Sequence, residues 1–197
     1  MRQRHIERDG VMIWRMPAFT MEKGEVDDLI GLARKQKTLI LDLRDNPGGL
    51  VDRLLRLVSN LFDKDITVAT RTGRKGAEPM VAKTRGDKAF GGQLIVLTNS
   101  GSASCAELLA RVVQLEKRGT VIGDRSNGAV MESRIFPFAQ GEPVMIFYAV
   151  SVTDADLMMR DGKSLEGAGV TPDELLQPTG ADLAAGSDTV EQAYACE

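Results

Sequence analysis

The feature that most constrains this fold is a pattern that occurs twice: a short apolar run, a polar loop with small residues, and an amphipathic segment. The first copy is TLILDLR at 38–44, the turn NPGG and a helical pattern at 50–62. The second is QLIVLTN at 93–99, the loop around Ser104 and a helix that ends near Glu116. Strands this apolar are expected to be buried on both faces, usually under helices. Two strand–loop–helix units in succession predict right-handed crossovers and a mostly parallel sheet.

Apolar periodicity predicts further elements along the chain. The remaining strands are expected at residues 10–19, 66–72, 80–85, 120–124, 134–139 and 144–151, of which the second and third form a hairpin. The remaining helices are expected at 24–36 and 189–197. The Gly- and Asp-rich residues 161–188 are interpreted as a long surface connection, because too little chain follows them to build another core.

The composition excludes several classes of partner. A chain of 197 residues, 43 % apolar and 27 % charged, is long enough for one globular domain spanning residues 1–197. No apolar run approaches the roughly 18 residues of a membrane span. A net charge of −3 gives no clustered positive field for nucleic acid, and the basic start MRQRHIER is expected to be a solvated terminus. One histidine and two distant cysteines indicate neither a metal site nor a disulfide framework, and no cofactor is expected.

The stretch NSGSASCAELLARVV at 99–113 allows two interpretations of one serine. Ser104 stands three residues before Glu107 and at the start of a run with helical spacing, which is the pattern of a capping box. A serine in this loop can also be a nucleophile, provided that other parts of the chain support it. The local sequence leaves both interpretations open.

The two loops of the repeated pattern are expected to lie close together. NPGG and GSASCAE each follow a predicted buried strand and precede a predicted helix. Open α/β sheets bind ligands beyond the carboxyl ends of their strands, so both loops are expected to border one crevice. Helix N-termini offer unpaired N–H groups that suit an oxyanion, and glycines let a substrate carbonyl approach the backbone closely.

Three motifs together carry a family resemblance. LILDLRDNPGGL at 39–50, VLTNSGSASCAELLA at 96–110 and GTVIGDRSNG at 119–128 resemble the core of the C-terminal processing peptidases, or tail-specific proteases. Relatives of that family include the tricorn protease core and retinoid-binding modules. GVTPD at 169–173 fits the closing segment of the family, so the similarity covers roughly residues 10–190. The resemblance implies an α/β fold of the Clp-protease/crotonase type, with a mostly parallel sheet, crossover helices and an added hairpin.

The same resemblance implies roles for the site residues. Ser104 corresponds to the acylated nucleophile, and the backbone amides of Cys105, Gly48 and Gly49 correspond to the oxyanion hole, while Glu107 still caps the helix. Family members carry a PDZ domain and a signal or anchor upstream of this core. This sequence shows neither, and no apolar signal segment follows its first charges, so it is expected to be a cytosolic minimal homologue or a piece of a longer protein. The family resemblance itself suggests a periplasmic or secreted location.

The family's general base is missing from the expected positions. In the tail-specific branch a lysine accepts the serine proton and a glutamine follows one helical turn later; alignment through GDRSNG places Ala129 and Ser133 there. The tricorn-like branch uses a histidine on an earlier strand, where this chain has Arg15, and His5 is expected to lie in a frayed terminus. A positioned base contributes ~10²–10⁴-fold to such a reaction, so its loss weighs against efficient hydrolysis.

Several other side chains admit a functional interpretation beside a structural one. Glu132 and Glu166 are carboxylates near the predicted site, and Glu166 resembles a position that supports catalysis in tricorn-type enzymes, although loop bracing explains both. Cys105 lies on the apolar helix face and is expected to be a small buried hydrophobe. Three charged residues are expected to brace the NPGG turn: Asp42, Arg44 and Asp45. Arg44 is also a candidate for contact with a substrate carboxylate.

Two functions of different classes follow. The first is a serine-type endopeptidase that acts on a peptide or protein through Ser104, with a base that is unconventional or comes from outside this chain. The second is a catalytically impaired homologue that binds a peptide or lipid, which Ala129 and Ser133 favour and the intact NPGG and SASCAE motifs oppose. An acyl-CoA enzyme of the crotonase type shares the fold, but enolate chemistry has no need for a serine at the helix start. Both main hypotheses are compatible with an oligomer and require no membrane contact by this segment.

Overall fold

A computed structural model describes residues 4–74 and 76–185. In chain order its elements are β1 (Arg4–Arg8), β2 (Val11–Arg15), α1 (Lys23–Ala33), β3 (Thr38–Asp42), α2 (Val51–Leu61), β4 (Ile66–Gly73), β5 (Gly76–Ala82), β6 (Gln93–Thr98), α3 (Cys105–Leu115), β7 (Thr120–Gly123), β8 (Glu132–Gln140), β9 (Ile146–Met158), β10 (Glu174–Leu175) and α4 (Gly180–Ala185). None of the helices in these ranges is long and apolar enough to cross a bilayer.

The main sheet has the strand order β1–β2–β3–β6–β7–β10. All neighbouring strands in it run parallel except the edge pair β1 and β2. The mostly parallel sheet predicted from the repeated strand–loop–helix pattern is therefore confirmed. The crossover helices α2 and α3 follow β3 and β6, as the same pattern predicted.

The strands of the main sheet are buried on both faces. Alternate side chains point to opposite faces of a sheet. One set, which includes Trp14 and Leu41, packs with the apolar sides of α1, α2 and α3 in the main core. The other set forms a smaller cluster that contains no residue of these helices: Ile40, Ile95, Leu97 and Ile122. Burial on both faces was predicted correctly, but the three helices cover only one face.

A second sheet is antiparallel and has the order β5–β4–β9–β8. β4 and β5 form the predicted hairpin, but β5 begins at Gly76 rather than at residue 80. Residues 76–79, which have no apolar periodicity, also pair with β4; Glu78, for example, lies opposite Arg71. β8 and β9 confirm the strands expected at 134–139 and 144–151, and both are longer than predicted.

Two parts of the chain differ from expectation. Residues 4–8 form the edge strand β1 rather than a frayed terminus, because their backbone pairs with β2, while residues 5–8 are exposed. Within 161–188, expected as a surface connection, β10 pairs with β7 and α4 follows. The helix expected at 189–197 lies outside the described residues.

Parallel register brings three loops to one edge of the main sheet. Asp42 at the end of β3 pairs with Leu97 in β6, and Thr98 at the end of β6 pairs with Gly123 at the end of β7. The segments that follow are here called the β3 loop (43–50), the β6 loop (99–104) and the β7 loop (124–131). All three leave the sheet at its carboxyl edge, where parallel sheets bind ligands.

Candidate active site

Backbone hydrogen bonds join the three loops. The N–H of Ala103 in the β6 loop donates to the carbonyl oxygen of Asn46 in the β3 loop at 2.8 Å. The N–H of Ser104 donates to the carbonyl oxygen of Ala129 in the β7 loop at 2.9 Å. The NPGG and SASCAE motifs, which are far apart in the sequence, therefore meet in space.

Ser104 occupies a strained backbone position at the start of α3. Its φ of +55° and ψ of −118° lie in a region that costs a non-glycine residue of order 1–3 kcal/mol. Its carbonyl oxygen accepts hydrogen bonds from the N–H groups of Glu107 at 2.9 Å and Leu108 at 3.0 Å, which begin the helix. The residue is half-buried.

The carboxylate of Glu107 accepts hydrogen bonds from both Ser104 and the β7 loop and so connects them. This side chain is completely buried. One oxygen accepts hydrogen bonds from the N–H groups of Ser104 and Ala129, both at 3.0 Å. The other accepts from the hydroxyl of Ser126 at 2.6 Å and from the N–H of Gly128 at 2.7 Å. Glu107 therefore caps α3 as predicted, and it also fixes the loop that carries residue 129.

The glycine pair of NPGG lies against Ser104. A Cβ atom on Gly48, whose φ is +96°, would lie 2.5 Å from the Cβ of Ser104 and 3.0 Å from the backbone nitrogen of Cys105. The N–H of Gly48 donates to Oδ1 of Asn46 at 2.8 Å. Within residues 4–74 and 76–185, the N–H groups of Gly49 and Cys105 donate to no protein acceptor. Two of the three amides expected to form an oxyanion hole therefore have no protein acceptor in these ranges.

Cys105 is buried directly beside the serine. Its thiol donates a hydrogen bond to the carbonyl oxygen of Gly49 at 3.4 Å. Burial raises the pKa of the Cys105 thiol to about 11, although hydrogen bonds with Ser104 and Gly49 act in the opposite direction. A thiol with this pKa is uncharged at neutral pH and is therefore a poor nucleophile. This agrees with the interpretation of Cys105 as a small buried hydrophobe.

The positions expected for a general base hold no suitable side chain. Ala129 is exposed and contacts Ser104 through its backbone, and Ser133 is an exposed residue of β8. In the part of the chain that the structure describes, no lysine or histidine side chain hydrogen-bonds to Ser104. His5 lies in β1 and pairs with Trp14 in β2. In the sheet, β1 is separated from β6 by three strand spacings of about 4.8 Å, roughly 14 Å in all.

An ion-pair network braces the β3 loop. Arg44 forms a bidentate pair with the fully buried Asp42, with both N–O distances at 2.8 Å. Nη2 of Arg15 lies 3.4 Å from Oδ2 of Asp45 and its Nη1 lies 3.9 Å from Oδ2 of Asp42. The N–H of Asp45 donates to the Asn99 side chain at 2.9 Å. The ion pairs join the ends of β2 and β3 to the start of the β3 loop, and the Asp45–Asn99 hydrogen bond links that loop to the β6 loop. The three charged residues expected to brace the NPGG turn thus form a network just before it.

The two candidate carboxylates near the site contact groups other than Ser104. Oε2 of Glu166 accepts hydrogen bonds from the N–H groups of Val130 at 2.7 Å and Met131 at 3.2 Å. Oε2 of Glu132 pairs with Nε of Arg71 at 2.8 Å. Both contacts stabilise the end of the β7 loop and the start of β8. Within the described ranges, no three His, Cys, Asp or Glu side chains are grouped so that they could hold a metal ion.

Sequence reasoning missed three buried polar residues that shape the site: Asn46, Ser102 and Ser126. The amide of Asn46 donates to the carbonyl oxygen of Met16 at 2.8 Å, besides accepting from Gly48. The hydroxyl of Ser102 donates to the carbonyl oxygen of Leu43 at 2.8 Å. Small polar residues in loops between apolar strands are a signal for such buried hydrogen bonds, but a weak one.

Comparison with known proteins links this geometry to a peptidase family. Residues 11–176 match the sequence profile of Peptidase family S41. A carboxy-terminal-processing protease from Bartonella bacilliformis is 35 % identical over 144 residues, which are 73 % of this chain and 32 % of that protein. The chain thus spans about a third of the length of this curated relative.

Solved structures share the fold. A protein from Parabacteroides merdae superposes with a TM-score of 0.76 and 24 % identity, covering 98 % of this chain and 63 % of its own. The photosystem II D1 C-terminal processing protease superposes with a TM-score of 0.69 and 25 % identity, covering 85 % of this chain and 42 % of its own. The expected Clp-protease-like fold is therefore confirmed.

Proposed function

Because this chain belongs to Peptidase family S41, we propose that it is a serine peptidase core in which the hydroxyl of Ser104 is the nucleophile. The observation that carries the proposal is the contact of the two motif loops. Gly48 lies so close to Ser104 that a side chain does not fit between them. Among the described residues, the N–H groups of Gly49 and Cys105, which follow these two, have no protein acceptor, and this supports their assignment to the oxyanion hole.

These groups suit acyl transfer. The oxygen of Ser104 attacks the carbonyl carbon of a peptide, its proton leaves to a base, and the carbonyl oxygen becomes an oxyanion between the N–H groups of Gly49 and Cys105. The C–N bond then breaks, the amine leaves with a proton, and water hydrolyses the acyl-enzyme. The N–H of Gly48 takes no part, because it already donates to Asn46.

The proposed site lacks the proton acceptor that the family uses. Residue 129, which corresponds to the family lysine, is alanine, so the proton passes to water or to a base outside this chain. Loss of a positioned base slows such a step by ~10²–10⁴-fold. We therefore propose a slow acyl-transfer site with its oxyanion-binding half intact, on a core formed by the whole of residues 1–197.

The second candidate is a module that binds a peptide without cutting it. The exposed methyl group of Ala129 beside Ser104 favours this alternative. Both candidates take a peptide or protein as ligand, which is the substrate class that the family and the name of the Bartonella relative support. They differ only in whether a covalent bond to Ser104 forms.

Labelling with a fluorophosphonate probe tests the proposal, because the probe phosphonylates activated serines. We expect slow labelling of the wild type that Ser104→Ala abolishes. Ser100→Ala is the matched control, since Ser100 is an exposed serine of the same loop and its variant should label like the wild type. Mass spectrometry locates the adduct on the peptide that contains residue 104.

The outcomes separate the two candidates. Labelling at residue 104 together with cleavage of unstructured peptides supports the peptidase. An absence of labelling above the Ser104→Ala background, with a peptide bound intact, supports the binding module and refutes the nucleophile. Labelling that Ser100→Ala removes equally would also contradict the proposed role of Ser104.

A further inference from the structure

One buried hydroxyl connects three segments of the chain beside the candidate site. Ser126 lies in the β7 loop and is 5 % exposed. Its hydroxyl donates a hydrogen bond to Oε1 of Glu107 in α3 at 2.6 Å and accepts one from the N–H of Val170, also at 2.6 Å. The N–H of Ser126 donates in turn to the carbonyl oxygen of Val170 at 3.1 Å. This serine takes no part in the proposed acyl transfer, so its bonds have another explanation.

The segment that contains Val170 packs tightly on the β7 loop. A Cβ atom on Gly169 would lie 2.6 Å from the carbonyl oxygen of Ser126, and one on Gly128 would lie 3.0 Å from the backbone nitrogen of Gly169. The N–H of Gly167 donates to the carbonyl oxygen of Gly128 at 2.8 Å. These contacts restrict the movement of Ser126 and so fix the direction from which its hydroxyl reaches the carboxylate in α3.

Glu107 passes this restriction on to Ser104. The hydroxyl of Ser126 and the N–H of Gly128 both bind Oε1 of the carboxylate. Oε2 of the same group accepts the N–H groups of Ser104 and Ala129, both at 3.0 Å. Donors that fix one oxygen also fix the direction of the other, and a reacting group is held in place by neighbours whose own side chains are locked.

The bond from Ser104 is important because the backbone is strained there. A residue at φ +55° and ψ −118° keeps this conformation only where its surroundings impose it. The N–H of Ser104 has two acceptors, Oε2 of Glu107 and the carbonyl oxygen of Ala129, and the second is itself held by the same carboxylate. A shift of Glu107 would loosen both and change the direction of the serine Cβ relative to Gly49 and Cys105.

We propose that Ser126 is a positioning residue, which acts through Glu107 to hold Ser104 in its strained conformation. For reactivity the inference rests on the proposed function, because a nucleophile gains rate from a fixed direction of attack. For conformation it is independent of the reaction, since the hydrogen bonds exist without a substrate. The two parts therefore need separate measurements.

Fluorophosphonate labelling of the full chain over a range of probe concentrations tests the effect on reactivity. For Ser126→Ala we expect the limiting rate to fall by about 10- to 100-fold, with an unchanged half-saturating concentration of probe, as for a misplaced reacting group. Thr98→Val is the matched control. It removes another buried hydroxyl, which donates to the carbonyl oxygen of Asp124 at the start of the same loop. Its limiting rate should stay within about threefold of the wild type.

Amide hydrogen exchange followed by NMR tests the conformation. Ser126→Ala should accelerate exchange of the N–H groups of Ser104 and Ala129 by at least about tenfold, because local opening exposes them to solvent. Thr98→Val should leave both within about threefold of the wild type. Circular dichroism verifies that the variants are folded under the conditions of both experiments.

The two measurements distinguish this proposal from the peptidase itself. A wild type that is not labelled at residue 104 refutes the nucleophile, and hydrogen exchange alone then decides whether Ser126 positions Ser104. Unchanged exchange in Ser126→Ala overturns the proposal in either case. So does accelerated exchange without a lower limiting rate where the wild type is labelled, or an equal effect of Ser126→Ala and Thr98→Val.

Discussion

Gly48 and Ser104 approach so closely that a Cβ atom on residue 48 would lie 2.5 Å from the Cβ of the serine. The positive φ of Gly48 adds to this restriction, because +96° is a conformation that L side chains rarely adopt. A glycine is therefore required here both by the backbone and by the neighbouring side chain.

Gly48→Ala should displace the β3 loop from Ser104. We expect fluorophosphonate labelling to be lost and the free energy of unfolding to fall by about 2–4 kcal/mol, through strain and overpacking together. Gly162→Ala is the control, since its φ is +76° but a Cβ there meets nothing within 4 Å. Denaturant unfolding of both variants separates backbone strain from the clash; equal losses in stability would argue against a tight contact at Gly48.

Ala129→Lys should supply the missing base. The backbone of residue 129 already contacts Ser104, and its side chain faces solvent. We expect the rate of fluorophosphonate labelling to rise by ~10²-fold or more over the wild type, within the range that a positioned base provides. Ala129→Met has a comparable length without the amine and should leave the rate unchanged. Equal rates for the two variants would show that a side chain at position 129 does not accept the proton of the Ser104 hydroxyl.

Glu107→Gln should destabilise the site, because all four groups that bind the carboxylate are donors. The amide NH₂ of glutamine would face two of those donors. Unpaired buried polar groups cost about 1–3 kcal/mol each, so we expect the free energy of unfolding to fall by about 2–4 kcal/mol.

The control for Glu107 comes from α1, which also begins with a capping box. Glu25 accepts a hydrogen bond from the N–H of Glu22 at 2.9 Å, but on the surface. Glu25→Gln should therefore cost less than about 1 kcal/mol in the same unfolding measurement. Similar values for the two variants would mean that the buried network contributes no more than an ordinary cap.

The buried thiol predicts a loss of stability in alkaline solution. The pKa of Cys105 is raised from 9.0 to about 11 in the folded protein, so the unfolded chain ionises first as the pH rises. This contribution is complete below pH 9 and is lost progressively towards pH 11, by about 2–3 kcal/mol. The difference in unfolding free energy between the wild type and Cys105→Ala should shrink over this interval. A constant difference would contradict burial of the thiol.

The strongly apolar parts of the fold could be predicted from sequence, and the weakly patterned parts could not. β3, β6 and the helices after them have the clear periodicity that tertiary packing reinforces. β1 has one apolar residue, Ile6, and is held by backbone pairing with β2, which leaves no side-chain pattern. β10 spans Glu174–Leu175 and exists only because β7 offers a free edge. Partners distant in sequence thus determine both strands.

The site was predictable at the level of motifs. The meeting of the NPGG and SASCAE loops follows from the parallel order of β3 and β6, and the capping role of Glu107 follows from its spacing to Ser104. That the N–H of Gly48 is already used by Asn46 could not be derived, since it depends on the path of one turn. The same is true of Ser126, whose bond to Glu107 crosses between loops.

The β7 loop builds the site with its main chain. The carbonyl oxygen of Ala129 and the N–H groups of Gly128 and Ala129 make the contacts that hold it to Ser104 and Glu107, and none of them depends on the side chain at position 129. The side chain at position 129 can consequently be exchanged without loss of these contacts. An exchange between alanine and lysine at this position would therefore alter the proton chemistry beside Ser104 and leave the hydrogen bonds that join the β7 loop to α3 in place.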